Sequence, residues 1–168
     1  LEDALQFLET MHYTAEDIDW LKSTGRFRDN LLDYLRDFRF TGDVHGMPEG
    51  TVFFPEEPIV RITAPMPQAQ LIETRLINLL HFQTVVASKA ARSVLVAAGK
   101  PLVDFGLRRA HGAEAGLLAA RASYLAGFSG TATVQAGMLF DIPVYGTMAH
   151  SFVLAHEDEV AAFEHFAS

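Results

Sequence analysis

Three short glycine-punctuated segments between Pro101 and Ser151 carry the residue types that do chemistry: VDFGLRRAHG, GFSGTATVQAG and PVYGTMAHSF. Each reads as the end of a buried strand opening into a loop, the place where β/α enzymes gather their reactive groups. In the first, Phe105 and Gly106 stand at the strand end, where a ring can stack on a planar ligand and a missing side chain admits close approach. Arg108 and Arg109 follow. Alternation would aim one guanidinium into the site and the other outward, without deciding which, and a guanidinium fork suits a carboxylate or a phosphate. A structural ion pair is the competing use of either arginine. In the second segment, glycines bracket a loop of small hydroxyl residues, Gly130 and Thr131 among them, that opens a short helix. The backbone N–H groups of such a loop can hold an anion, although turns alone also favour this composition.

In the third segment, His150 is the only one of the seven histidines that follows a glycine-bearing strand and stands between hydroxyls, Thr147 and Ser151. Its imidazole can act as general base, hydrogen-bond donor or phosphoryl acceptor, against the commoner role of a satisfied structural residue. The spacing of His111, His150 and His156 does not match a helix-borne pair of zinc ligands, so no protein-bound metal is expected.

These segments need elements to position them. Leu1, Ala4, Leu5 and Leu8 repeat at helical spacing. Thr14 with Asp17 resembles a capping box that opens a short helix ending near Gly25, and Phe27, Leu31, Tyr34, Leu35 and Phe38 form another apolar stripe. From Gly50 the period changes: TVFF and IVRIT are rich in β-branched and aromatic residues, FPEEP between them is turn chemistry, and a hairpin is predicted. A long helix is predicted from about Gln68 to Ala98, with Leu71, Leu76, Leu79, Leu80, Val86, Ala90 and Val94 on one face and Gly99 as its stop.

After Lys100 the pattern alternates. PLVDFGL reads as a strand, Ala113 to Ala126 as a helix, Thr131 to Phe140 as a tight turn with a short helix, PVYGTM as a second strand and Glu157 to Phe166 as a closing helix. Such alternation argues for parallel strands with crossovers. The predicted organisation is an N-terminal α+β domain over residues 1–100 and an α/β segment over residues 101–168, which supplies only the first part of a barrel.

The composition bounds the function. With 168 residues, 49% of them hydrophobic, the chain can bury a real core, and with no cysteine it has no disulfide, thiolate metal ligand or cysteine nucleophile. No membrane span is expected. Leu1 stands where a gene product would begin with Met, so the chain reads as an internal piece. The net charge of −8 is uneven: residues 1–60 carry net −8, residues 61–109 net +5 and residues 110–168 net −5. A basic zone inside an acidic protein suits a small anionic ligand better than nucleic acid, although Arg75, Lys89, Arg92 and Lys100 can equally solvate a helix.

FGLRRA, GFxGT and GTMAHS, in this order, closely resemble nicotinate phosphoribosyltransferase. So do QAQLIETRLINLLHFQTVVASKAAR as that family's long helix and MPEGTVFFPEEPIVRITAP as the hairpin before it, so that nearly the whole chain is covered. The resemblance implies a cytoplasmic, ATP-coupled enzyme of NAD salvage that joins nicotinate to phosphoribosyl pyrophosphate, with Mg²⁺ bound to the substrate phosphates. It also implies the type II phosphoribosyltransferase fold, an N-terminal α+β domain leading by the long helix into an irregular α/β barrel, in a homodimer with shared active sites.

Carried over by position, Phe105 would stack on the pyridine ring and Arg108 would lie beside the nicotinate and phosphoribosyl groups. Gly106, Arg109, Gly130 and Thr131 would help to bind substrate, His150 would accept a phosphoryl group from ATP, and Thr147 and Ser151 would line the same pocket. Ala132 stands where related nicotinamide enzymes carry an Asp that accepts from the amide. An Asp there would repel a carboxylate, so Ala132 favours the acid. Nicotinamide and quinolinate are the alternative substrates. A non-catalytic assembly module is the alternative of another class. Segments that complete the family's site are missing before Leu1 and after Ser168, so little or no turnover is expected of the isolated chain.

Overall fold

Thr14 shows how the chain builds its first elements. In the computed structural model, which describes residues 1–168, the Asp17 amide donates to Thr14 Oγ1 at 3.1 Å while the Thr14 amide donates to Asp17 Oδ2 at 2.8 Å. This reciprocal capping box opens α2 (Ala15–Ser23), after α1 (Glu2–Thr10) and before α3 (Asp29–Arg36). Two amide donors that helix geometry would leave unpaired are thereby satisfied.

The chain divides into two compact units, Leu1–Val85 and Val86–Ser168, and the division falls within α4 (Met66–Val96). In the first unit, Ala4, Leu8, Phe38, Ile72 and Leu76 form one buried cluster and Ile18, Leu32 and Leu35 another, with Tyr13 and Leu71 packed against both. The Tyr13 and Phe38 rings meet edge to face at 5.8 Å. The α3 stripe differs from expectation: Leu32, Leu35 and Phe38 are buried, whereas Phe27, Leu31 and Tyr34 are each more than a third exposed. Leu32 and Leu35, three positions apart on one face, join Ile18 in the second cluster, and Leu31 lies at the edge of that face.

The hairpin uses a different first strand from the expected TVFF. Asp43–Gly46 (β1) pairs antiparallel with Val60–Thr63 (β2), Val44 opposite Ile62, and both of these side chains pack on the first cluster. Residues 51–54 form no strand, and Val52 and Phe54 are 83% and 68% exposed. Pro55 and Pro58 explain the difference, because each lacks the amide donor that a tight hairpin next to β2 would need. A turn closes there instead, with the Phe54 amide donating to Glu57 Oε2 at 2.7 Å. At the entry to α4, Gln68 Oε1 accepts from the Thr41 amide at 2.9 Å and pins the loop between α3 and β1.

In the second unit the strands are shorter than predicted. PLVDFGL contributes only Val103–Asp104 (β3), paired parallel with Gly130–Thr131 (β4), and PVYGTM contributes a single parallel bridge from Thr131 to Val144. Parallel pairing is observed, but the two sheets have two strands each and no closed barrel is present. α5 (Ala113–Leu125) buries Gly116, Ala120 and Ala122, and α6 (Val134–Phe140) buries Ala136. These small residues let both helices lie close to β4. Arg121 is 9% exposed and sets its guanidinium 5.7 Å from the centre of the Phe140 ring. The chain then forms α7 (His150–Leu154), which sequence reasoning missed, and α8 (Glu159–Ala167), capped by Asp158.

The capping box has a measurable pH signature. Hydrogen bonds from Thr14 hold the Asp17 carboxyl below the usual carboxylate range. A lowered folded-state value means that the contribution is complete above the unfolded value of about 3.9 and is lost as pH falls through the folded one. Burial, aided by the Asp17 charge, raises the Tyr13 phenol above its ordinary value, so the tyrosine's contribution is lost at the alkaline end as pH rises through the raised value. Thr14→Ala is expected to cost about 1 kcal/mol at neutral pH, and its gap from the parent in urea midpoint should narrow below about pH 4.

Candidate active site

The three motifs meet because three extended segments lie side by side. The Ser129 amide donates to Leu102 O at 2.7 Å and the Ala132 amide to Asp104 O at 2.7 Å. On the other side, the Thr131 amide donates to Pro143 O at 3.0 Å and the Tyr145 amide to Thr131 O at 2.9 Å. Gly130 permits this spacing, since a Cβ there would collide with the Pro143 carbonyl oxygen and the Tyr145 ring. The loops leaving the segments' C-terminal ends border a cavity of about 890 Å³.

Phe105, Arg108, Ala132, Thr147, His150 and Ser151 all line that cavity, together with Val134, Val144, Tyr145, Gly146, Met148 and Ala149. Phe105 is 49% exposed and Tyr145 44%, so two aromatic faces are open to a ligand. Arg108 is the only formally charged lining residue, and no carboxylate lines the cavity. The other bases of the expected basic zone lie elsewhere: Arg75, for example, sits on α4, where its Nη1 donates to Asn78 Oδ1 at 2.7 Å.

Arg108 and Arg109 do not alternate along a strand. Both belong to a single 3-10 turn, Leu107–Arg109, whose roughly 120° step replaces the 180° step of a strand. Arg108 reaches the cavity lining and Arg109 does not. Gly106, Gly130 and Thr131 also lie outside the lining. Gly130 is buried, and Thr131 is fully buried, its hydroxyl donating to Asp104 Oδ2 at 2.9 Å and accepting from the Thr133 amide at 3.0 Å. His150 is the first residue of α7 and exposed, not at the end of a strand.

Sequence reasoning missed Asp104 and Tyr145. The signal for Asp104 was an acid directly before Phe105 at an otherwise apolar strand end. Tyr145 was legible only as part of an apolar run.

Two family models match the chain: the nicotinate phosphoribosyltransferase N-terminal domain over residues 1–81 and the nicotinate phosphoribosyltransferase family over residues 101–168. The chain belongs to the nicotinate phosphoribosyltransferase family. It is 53% identical over 167 residues to nicotinate phosphoribosyltransferase pncB2 of Mycobacterium tuberculosis, covering 99% of this chain and 36% of that protein. It is 43% identical to nicotinate phosphoribosyltransferase of Bacillus subtilis, covering 99% of this chain and 34% of the relative. The chain thus spans about a third of the length of these relatives. Among solved structures, human nicotinic acid phosphoribosyltransferase aligns at a TM-score of 0.84 and 37% identity, over 92% of this chain and 32% of that one. Nicotinate-nucleotide pyrophosphorylase from Pyrococcus furiosus aligns at 0.72 and 31%, over 76% and 32%. No helix of the chain is long and apolar enough to cross a membrane.

Within this family member, the fit at Gly130 leaves no room for a methyl group. Gly130→Ala is expected to cost about 1–3 kcal/mol, read as a lower urea midpoint, because the added carbon meets backbone that cannot rotate away.

Proposed function

We propose that this chain carries the pyridine-binding part of a nicotinate phosphoribosyltransferase site, where nicotinate and phosphoribosyl pyrophosphate become nicotinate mononucleotide and pyrophosphate in NAD salvage, with ATP hydrolysis coupled. The observation that carries this reading is the cavity lining: open aromatic faces, one guanidinium, one imidazole, the aliphatic hydroxyls of Thr147 and Ser151, and no carboxylate. Such a surface favours a planar anion and sets no opposing charge beside it.

In the reaction, the pyridine nitrogen forms a bond to the anomeric carbon as the bond to the pyrophosphate oxygen breaks, and the electron pair departs with pyrophosphate. Charge builds up on the ribose in an oxocarbenium-like state, so the protein's task is mainly to hold two anions in line. Phe105 stacks on the pyridine ring. Arg108 takes the carboxylate or the adjoining phosphoribosyl oxygens through its planar fork. Ala132 leaves room for the carboxylate without repelling it. His150 accepts a phosphoryl group from ATP, and Thr147 and Ser151 donate hydrogen bonds beside it. The negative charge so added alters affinity for substrates and products during the cycle. Gly106 and Arg109 lie outside the lining, and Gly130 and Thr131 hold the frame.

The residues present do not fit a magnesium ion held by the protein. The lining offers no carboxylate, both oxygens of Asp104 are engaged by Gly106 and Thr131, and no three His, Asp or Glu side chains converge. In this reading Mg²⁺ accompanies the substrate phosphates.

The same reading places residues 1–100 in an N-terminal α+β domain and residues 101–168 at the start of an irregular α/β barrel. It makes the protein a cytoplasmic homodimer whose subunits share active sites, with no nucleic acid or membrane partner. Ala132 favours nicotinate over nicotinamide, and a single lining arginine favours one ring carboxylate over the two of quinolinate.

The deciding experiment is an assay of nicotinate mononucleotide formation by the full gene product, with and without ATP, alongside calorimetric titration with nicotinate, nicotinamide and quinolinate. Nicotinate is expected to bind most tightly. No turnover and no pyridine binding would leave the assembly-module reading. Arg108→Ala should weaken nicotinate binding about ten- to a hundredfold, as expected for loss of a charge-assisted bond. His150→Ala should abolish the effect of ATP on apparent substrate affinity, and an unchanged ATP effect would remove the phosphoryl-acceptor role.

A further inference from the structure

Asp104 does not line the cavity, yet it is bonded to two of the three motifs that do. Its Oδ1 accepts from the Gly106 amide at 3.0 Å, its Oδ2 accepts from Thr131 Oγ1 at 2.9 Å, and its carbonyl accepts from the Ala132 amide at 2.7 Å. The Thr131 hydroxyl in turn accepts from the Thr133 amide at 3.0 Å. One side chain therefore ties the turn that presents Phe105 and Arg108 to the loop that presents Ala132 and Val134.

Gly106 belongs to the same arrangement. A Cβ there would lie 2.9 Å from Asp104 Oδ1, so the glycine leaves room for the carboxylate over its own amide. This accounts for Gly106 without a ligand: its missing side chain serves Asp104.

We infer that Asp104 is a positioning residue for the pyridine subsite, acting through Gly106 and Thr131 to set the distance between the Phe105–Arg108 turn and the Ala132 loop. The inference rests on the reading of the cavity as a nicotinate site. A carboxylate in the lining would oppose an anionic ligand; one turned onto two protein donors aligns the walls without meeting it. Neither a neutral amide nor an alanine reproduces the arrangement, since Thr131 Oγ1 already accepts from Thr133 and directs its proton to Asp104.

The test compares Asp104→Ala, Asp104→Asn, Thr131→Val and Thr131→Ser, singly and as the Asp104→Ala/Thr131→Val pair, in the full gene product. Asp104→Ala and Thr131→Val are each expected to raise KM for nicotinate about tenfold or more while KM for phosphoribosyl pyrophosphate moves less than about threefold. The pair should cost clearly less than the product of the two, because both single changes remove the same bond. Thr131→Ser, which keeps the hydroxyl, should restore nicotinate KM to near the parent value. A loss confined to kcat, or single effects that simply multiply, would overturn the inference.

If Asp104→Ala proves too unstable to assay, Asp104→Asn and Thr131→Ser carry the same comparison. If the parent protein makes no nicotinate mononucleotide, the functional reading fails on its own. The bracket is then judged by amide hydrogen exchange at Gly106 and Thr133, which should quicken at least about tenfold in Asp104→Asn and would refute it if unchanged.

Discussion

Four backbone hydrogen bonds between Leu102–Asp104, Ser129–Ala132 and Pro143–Tyr145 place three loops around one cavity. Their common requirement is that the middle segment be thin. Gly130 meets it by having no side chain, and Thr131 by burying a compact one whose hydroxyl is satisfied on both sides. A bulkier residue at either place would push the outer segments apart and with them Phe105 on one side and Tyr145 on the other. The chemistry of the site therefore depends on two residues that do not line it.

The same division of labour runs through the second unit. α5 and α6 bring alanine and glycine to their buried faces, which lets them lie close to β4, while Arg121 and Phe140 fill the space at one end with a cation over a ring. The lining residues are correspondingly open: Phe105, Arg108, Thr147, His150 and Ser151 are all exposed. A buried frame of small residues and an exposed wall of polar and aromatic ones combines rigidity with access.

Legibility in the sequence followed the range of the interactions involved. The Thr14–Asp17 capping box was readable because its partners lie three residues apart, and α4 because its apolar residues recur at helical spacing. The hairpin was half readable: Val60–Thr63 had the right composition, but its partner was decided by Val44 reaching a core that also contains Ala4 and Phe38, which no local pattern encodes. Two-residue strands such as β3 and β4 carry no alternation at all, so the placement of Arg108 and Arg109 followed from a 3-10 turn instead. That His150, Thr147, Ser151, Phe105 and Arg108 converge on one cavity was legible from their types and order. Asp104 was not, because its importance lies in which two amino acids its oxygens join.

The excursion between β1 and β2 bears on how this part of the chain can vary. Residues 47–59 leave and rejoin a hairpin whose register is held by Val44 and Ile62 in the core, not by the turn. A connection of this kind is entropically cheap to lengthen, at about 0.6 kcal/mol per doubling. The sheet therefore tolerates insertions, deletions and changes of composition here that a tight two-residue turn would forbid. The register of β1 on β2 would therefore survive a change of length here, because Val44 and Ile62 hold it from below.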